Sequence, residues 1–280
     1  MHFIRLLPFI SAALLASACT TMQIGENSFI RPDKAGAATP ARLDLGTALP
    51  NARVTDAAID SGDGATLHGV MLRQGQSKVT VLYFGGNAFH LDQHGAEIIP
   101  LIAACGVNVA VFDYRGYGRS GGVPSIATMT ADALREYDYV SAHNPGSKMI
   151  VHGQSLGSFL AAHVAHERPQ AAALVLEATA TNVSDWAHAN VPWYARPFLR
   201  LDIGQSLRGV DNVKAVAGYP GASLVLAGQA DTVTPPALGR RVYDALPEQR
   251  RQWLLADGAS HNGIFGHKDV MPPYCAFVNQ

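Results

Sequence analysis

Charge is scarce in this 280-residue chain: Asp, Glu, Lys and Arg make up 15 % of it, against about 25 % in an average soluble domain. Neither sign dominates, with 21 Lys and Arg against 22 Asp and Glu and a net charge of −1. Such a surface lacks the basic footprint that phosphate backbones require, which excludes a nucleic-acid partner. There are only 3 cysteines and no pair at zinc-ligand spacing. No P-loop is present, and no glycine-rich nucleotide fingerprint follows a first strand. The 27 glycines and 16 prolines recur without a period, so collagen-like and low-complexity architectures are excluded too. What the chain does have is hydrophobic residues, at 48 %. That suffices for a large buried core in one big domain or two small ones.

The first residues read as an address. Arg5 gives a thin positive region, Leu6 to Leu15 an apolar stretch broken by Pro8 and Ser11, and Ala16-Ser17-Ala18 a small-residue approach to Cys19. The apolar stretch falls short of the roughly 20 residues that span a bilayer, so a signal peptide over 1–18 is the reading. Leu15-Ala16-Ser17-Ala18-Cys19 resembles a bacterial lipobox, with the leucine one position early. That resemblance implies a lipid on Cys19 and a membrane anchor, the alternative being an ordinary cleavage site with Cys19 incidental. Thr20 rather than Asp after the cysteine implies sorting to the outer membrane, facing the periplasm. The two remaining cysteines, Cys105 and Cys275, are permitted but not required to pair in that compartment. Residues 19–53, rich in Gly, Ala and Pro, read as a tether that is partly packed at best.

From Val54 the pattern changes to short apolar strands alternating with helices. Val54–Ile59 and Thr66–Leu72 flank Ser61-Gly62-Asp63-Gly64 as a hairpin. Strands are expected at Val79–Phe84, Val107–Asp113, Lys148–Gly153, Ala172–Glu177, Ala222–Gly228 and Gln252–Ala256. Helices are expected at His90–Ala104, Ile126–His143, Leu156–Glu167 and Pro236–Leu246, with a last one starting near Asn262. Unalternating apolar strands separated by helices predict a mostly parallel sheet covered on both faces. Right-handed crossovers then gather the strand C-termini along one edge, where ligands bind.

The chemistry-bearing residues follow strands. Gly153-Gln154-Ser155-Leu156-Gly157 lies between Met149-Ile150-Val151 and the helical Ser158-Phe159-Leu160-Ala161-Ala162. A strand–turn–helix corner with flanking glycines exposes the Ser155 hydroxyl at a helix N-terminus, where developing negative charge is favoured. A plain helix-capping serine is the competing reading. On this pentapeptide and its flanks, together with Asp113-Tyr114-Arg115-Gly116-Tyr117-Gly118-Arg119-Ser120-Gly121-Gly122, residues 54–280 resemble an α/β-hydrolase. The nearest likeness is to the thioesterase- and depalmitoylase-like "α/β-hydrolase domain-containing" branch. The resemblance implies an α/β fold with a small cap insertion at about 179–218, and a Ser–Asp–His triad. It implies an architectural role for the Asp113–Gly122 segment, in which Asp113 and Arg115 are expected to pair.

A serine nucleophile needs a base held by an acid. Of 11 histidines, His261, in Asp257-Gly258-Ala259-Ser260-His261-Asn262 after the last strand, stands at the family's base position; His267 is the nearby competitor. Asp231, in Gly228-Gln229-Ala230-Asp231, matches the acid loop, with Glu177 one strand earlier as the alternative. The order Ser155, Asp231, His261 is that of the superfamily. For the oxyanion, the resemblance implies the main-chain N–H groups of Leu156 and of Asn87, in Gly85-Gly86-Asn87-Ala88; relatives carry His where this chain has Gly85.

His90 and His94 stand four apart with no third ligand, so no metal is expected, and no cofactor is needed. Trp186, Trp193, Tyr194 and Phe198 of the cap either line an acyl pocket or simply pack the cap onto the sheet. The expectation is a membrane-tethered serine hydrolase of carboxylic esters or thioesters, acting on a small-molecule or lipid-like substrate without an obligate protein partner. A serine aminopeptidase or lipase on the same residues, and a non-catalytic envelope-binding lipoprotein, are the alternatives.

Overall fold

The structure is a computed structural model that describes residues 20–33, 41–45, 49 and 52–280. In chain order the elements are β1 (Thr20–Ile24), α1 (Glu26–Phe29), β2 (Ala52–Asp60), β3 (Thr66–Gln74), β4 (Val79–Phe84), α2 (Leu91–Ala103) and β5 (Asn108–Phe112). They continue as α3 (Ile126–His143), β6 (Lys148–Gln154), α4 (Leu156–Glu167), β7 (Ala173–Glu177), α5 (Val183–Ala189), β8 (Leu199–Ile203) and α6 (Asn212–Val216). The last are β9 (Ala222–Gly228), α7 (Pro236–Ala245), β10 (Arg251–Ala256) and α8 (Met271–Val278).

Eight strands form one sheet in the order β10-β9-β7-β6-β4-β5-β3-β2. Only β3 runs against the others, pairing antiparallel with β2 and β5. The apolar runs have a direct cause. In β4, Leu82 and Phe84 face the core shared with α3, α4 and α7, while Val81 and Tyr83 face the one shared with α2 and α8. Both faces are therefore dry, and neither leaves a polar position to alternate with. Ser125 caps α3 through reciprocal bonds with Thr128, which fixes its start at the predicted residue.

Four expectations change. The segment read as a tether is folded over 20–33. β1 pairs in parallel with β8, from Thr20↔Leu199 to Ile24↔Ile203, and Phe29 and Ile30 are buried in the core. The cap is thus built jointly by α5, β8, α6 and this N-terminal strap. Arg115 pairs not with Asp113 but with Asp132 on α3 and Asp63 in the β2–β3 turn. Asp113 instead accepts the Leu91 N–H at the start of α2, at 2.7 Å, and the Arg119 N–H at 2.9 Å. The last helix begins at Met271 rather than near Asn262, because Gly263 and Gly266 keep the intervening chain in turns. Pro272 and Pro273 then sit in its first turn, where a missing N–H costs little.

Cys105, just after α2, and Cys275, in α8, form a disulfide with their Cα atoms 4.9 Å apart. The expected signal peptide and the lipid-bearing Cys19 lie outside the described residues.

Candidate active site

Three loops at the C-terminal edge of the sheet build the site. The first is the corner between β6 and α4. Ser155 sits there at φ 53° and ψ −114°, in the left-handed half of backbone space that a side chain occupies only under constraint. Its N–H donates to Glu177 O at 2.9 Å, and the Ser158 hydroxyl donates to Ser155 O at 2.7 Å, which hold the corner from both sides. Glycines make the turn possible. A Cβ on Gly157 would stand 2.1 Å from Phe84 O, and one on Gly153 would stand 2.2 Å from Gly157 O.

The second and third loops follow β9 and β10 and are bonded to each other, Ala230 N–H to Ala259 O at 3.0 Å. They carry Asp231 and His261. His261 Nε2 is 3.0 Å from Ser155 Oγ, and His261 Nδ1 is 2.8 Å from Asp231 Oδ2. The three residues singled out in the sequence therefore form one hydrogen-bonded line. Asp231 is buried, and its other oxygen accepts the N–H groups of Val233 at 2.8 Å and Thr234 at 2.9 Å. Burial alone would raise its pKa. The hydrogen bonds from His261 and Thr234 outweigh that and hold the carboxyl below its ordinary range.

The competing residues stand elsewhere. Glu177 is buried against His152, 3.3 Å from its Nε2, and does not reach His261. His267 faces Asp269 at 3.7 Å. Both His90 ring nitrogens are occupied, Nδ1 by Ala88 O at 2.8 Å and Nε2 by Asp33 at 2.5 Å. Among the described residues no group of three His, Cys, Asp or Glu side chains converges as a metal site would require.

The expected oxyanion donors, Asn87 and Leu156, line a cavity of about 260 Å³ together with Ser155 and His261. Among the described residues neither main-chain N–H has a protein acceptor. The loop is held although the family's His is replaced by Gly85. The Phe89 ring fills the space that a side chain at 85 would take, 2.2 Å from a Cβ built there. The Tyr114 hydroxyl donates to Gly85 O at 2.5 Å.

The N-terminal strap completes the site, and the sequence reading missed it. Asn87 Nδ2 donates to Phe29 O at 3.0 Å, while its Oδ1 accepts from the Tyr117 hydroxyl at 3.1 Å and the Arg31 N–H at 3.3 Å. Asp33 accepts the Gly118 N–H at 2.9 Å and bonds His90. Phe29 stacks edge-on against Phe159 and Trp186, each 5.6 Å away, and these three rings wall the cavity. The available signal was the apolar pair Phe29-Ile30 inside an otherwise polar stretch. A second cavity of about 400 Å³, between α3, α4 and α6, shares Leu156 and Phe159 with the first.

Residues 75–209 match the family model "Serine aminopeptidase, S33". An uncharacterised protein of Mycobacterium tuberculosis (strain H37Rv) is 32 % identical over 218 residues, covering 76 % of this chain and 74 % of that one. Lysophosphatidylserine lipase ABHD12 of Gallus gallus is 30 % identical over 192 residues, covering 63 % of this chain and 49 % of that one. Among solved structures, the Pyrococcus furiosus esterase Pf2001 superposes with a TM-score of 0.65 at 17 % identity, over 86 % of this chain and 96 % of that one. At that identity the likeness speaks to the fold alone.

Proposed function

The chain belongs to the α/β-hydrolase family, and on that premise we propose that it cleaves carboxylic esters of lipid-like acyl groups with Ser155 as nucleophile. The observation that carries this reading is the line Asp231–His261–Ser155, with bonds of 2.8 and 3.0 Å ending on a strained serine. His261 Nε2 takes the Ser155 proton as Oγ attacks the ester carbonyl. Asp231, kept ionised by its hydrogen bonds, orients the imidazole and stabilises the imidazolium that forms. The N–H groups of Asn87 and Leu156 receive the oxyanion, an arrangement whose single donors are worth about 10²–10³ in turnover. His261 then protonates the leaving alcohol, and water releases the acyl group by the same route in reverse.

The walls favour an acyl ester. Phe29, Phe159 and Trp186 line the cavity beside the nucleophile with apolar rings, and among the described residues no carboxylate lines it to hold a peptide N-terminus. The likeness to a lysophosphatidylserine lipase supports the same class. We place the enzyme on the periplasmic side of the outer membrane, held by lipid on Cys19. The motif ending at Cys19 supports this, and the Cys105–Cys275 disulfide accords with an oxidising compartment.

Hydrolysis of p-nitrophenyl esters from acetate to palmitate tests the function. Wild type is expected to turn over, with a longer-chain optimum, and Ser155→Ala to lose about 10⁴-fold or more. A Ser155→Ala protein that keeps its activity removes the proposal.

A further inference from the structure

We propose that the tip of the cap is a docking surface for a phospholipid bilayer, which sets the mouth of the Ser155 cavity at the lipid interface. Three aromatic side chains are exposed within six consecutive residues: Trp193 at 78 %, Tyr194 at 64 % and Phe198 at 54 %. They neither line the catalytic cavity nor pack the cap onto the sheet. A soluble surface rarely leaves such a group uncovered. Trp and Tyr, with an apolar body and a polar tip, are suited to the level of lipid headgroups.

Charge and chain path select a bilayer as the occupant. Arg196 and Arg200 are exposed in the same stretch, and residues 190–201 contain no Asp or Glu, which complements anionic lipid phosphates. Phe198 runs straight into β8, whose first residue Leu199 is the register partner of Thr20. Thr20, the first described residue, thus pairs beside the aromatic tip, and Cys19, the expected lipid carrier, precedes it in sequence. An acyl anchor there and the aromatic tip would meet one surface together, as the two weak signals that stable membrane attachment requires.

The tip is also tied to the mouth. α5 carries Trp186 in the cavity wall and leads within four residues of its end into Trp193. Asn190, between them, donates through Nδ2 to the carbonyl of Val233, itself a cavity residue, at 3.0 Å. β1, on the other side, leads into Phe29 and Arg31 at the same mouth. The benefit to catalysis rests on the acyl-ester reading above; the membrane contact does not.

The test uses the chain from Thr20 onward, which carries every described element but no lipid. It is floated with vesicles of phosphatidylethanolamine and phosphatidylglycerol, and with phosphatidylcholine alone, next to a Trp193→Ser/Tyr194→Ser/Phe198→Ser variant and an Arg196→Gln/Arg200→Gln variant. The expected result is binding by wild type that the aromatic variant loses by about tenfold or more. The arginine variant should lose only the preference for phosphatidylglycerol. Both variants should keep p-nitrophenyl butyrate turnover within about twofold, because none of these residues contacts Ser155 or His261. Wild type that does not float, an aromatic variant that floats as well as wild type, or a tip that mediates self-association without vesicle binding each overturns the proposal. Absent turnover in all proteins, with vesicle binding intact, would instead count against the hydrolytic reading alone.

Discussion

Replacing Asn87 by Ala separates the main-chain role of this residue from what its side chain does. The N–H assigned to the oxyanion remains, and only the amide is lost. That amide makes three contacts: to Phe29 O at 3.0 Å, Tyr117 Oη at 3.1 Å and the Arg31 N–H at 3.3 Å. The Arg31 N–H keeps a second acceptor in Tyr117 Oη at 2.7 Å, so two bonds go without replacement. At about 0.5–1.5 kcal/mol each they sum to about 1–3 kcal/mol. The next residue, Ala88, is held at φ 67°, a conformation the released loop has reason to leave. If the whole loss appears as misplacement of the oxyanion donor, kcat falls about 5- to 150-fold. The ceiling is the 10²–10³ or so for removing a donor outright. On the proposed reading the aromatic walls hold the acyl group, so KM should change little. The assay is kcat and KM on p-nitrophenyl butyrate beside a thermal melt. A variant that melts lower but keeps kcat within twofold would show that the strap supports the fold and leaves the oxyanion loop alone.

The other predictions are these. Arg115→Ala leaves Asp132 buried without its bidentate partner, so unfolding in urea should show a loss of about 3–5 kcal/mol with ester turnover at low denaturant retained. Because its folded pKa is lowered, ionised Asp231 contributes stability above its ordinary value of 3.8, and that contribution is lost only as pH falls through the lower folded value. Acid unfolding followed by circular dichroism should therefore show this loss only below the ordinary value of 3.8, and Asp231→Asn should lack it. Asp231→Asn should cost about 10⁴-fold in kcat with the fold intact by circular dichroism. Cys105→Ser/Cys275→Ser should lower the stability of the folded chain by about 2–5 kcal/mol, since the bond closes a separation of 170 residues; an unchanged urea midpoint would deny it that role.

Elements whose two faces are both buried were legible from sequence because their composition allowed nothing else. β4, β6 and β7 carry the apolar runs Val81–Phe84, Met149–Val151 and Ala173–Leu176, and the helix read over Ile126–His143 is the one that Ser125 and Thr128 cap. The three aligned residues were legible for a related reason: Ser155 follows directly on β6, and Asp231 and His261 lie three and five residues past β9 and β10, so the C-terminal edge of the sheet gathers their loops. β1 had no such signature. Four of its five residues, Thr20-Thr21-Met22-Gln23, are exposed, and its hydrogen-bond partner lies almost 180 residues on, beyond any local pattern. The partner of Arg115 was misjudged because the resemblance kept the expected pair within the Asp113–Gly122 segment, whereas the helix α3 delivers Asp132 to the buried guanidinium from 17 residues away.

Gly85 departs from the pattern of the family that the chain resembles, and what fills its place bears on the site as a whole. Where relatives place His, this chain removes the side chain and lets Phe89 take the space, its Cγ 2.2 Å from where a Cβ would be. Restoring His by substitution should therefore harm the loop, because the atoms in the way are the base of the Phe89 ring and not a flexible tip. The rigidity that a loop side chain could supply comes here from three directions: Phe89 within the loop, Tyr114 on the Gly85 carbonyl, and the strap on Asn87. The strap is also the stretch that joins β1, and with it the expected anchor site, to the oxyanion loop. A pull or tilt transmitted along β1 would reach Asn87 through Phe29 and Arg31 before it reached Ser155. The N-terminal strap is accordingly tied to the proposed oxyanion loop through Asn87, and substitutions within residues 20–33 that loosen those bonds should lower turnover.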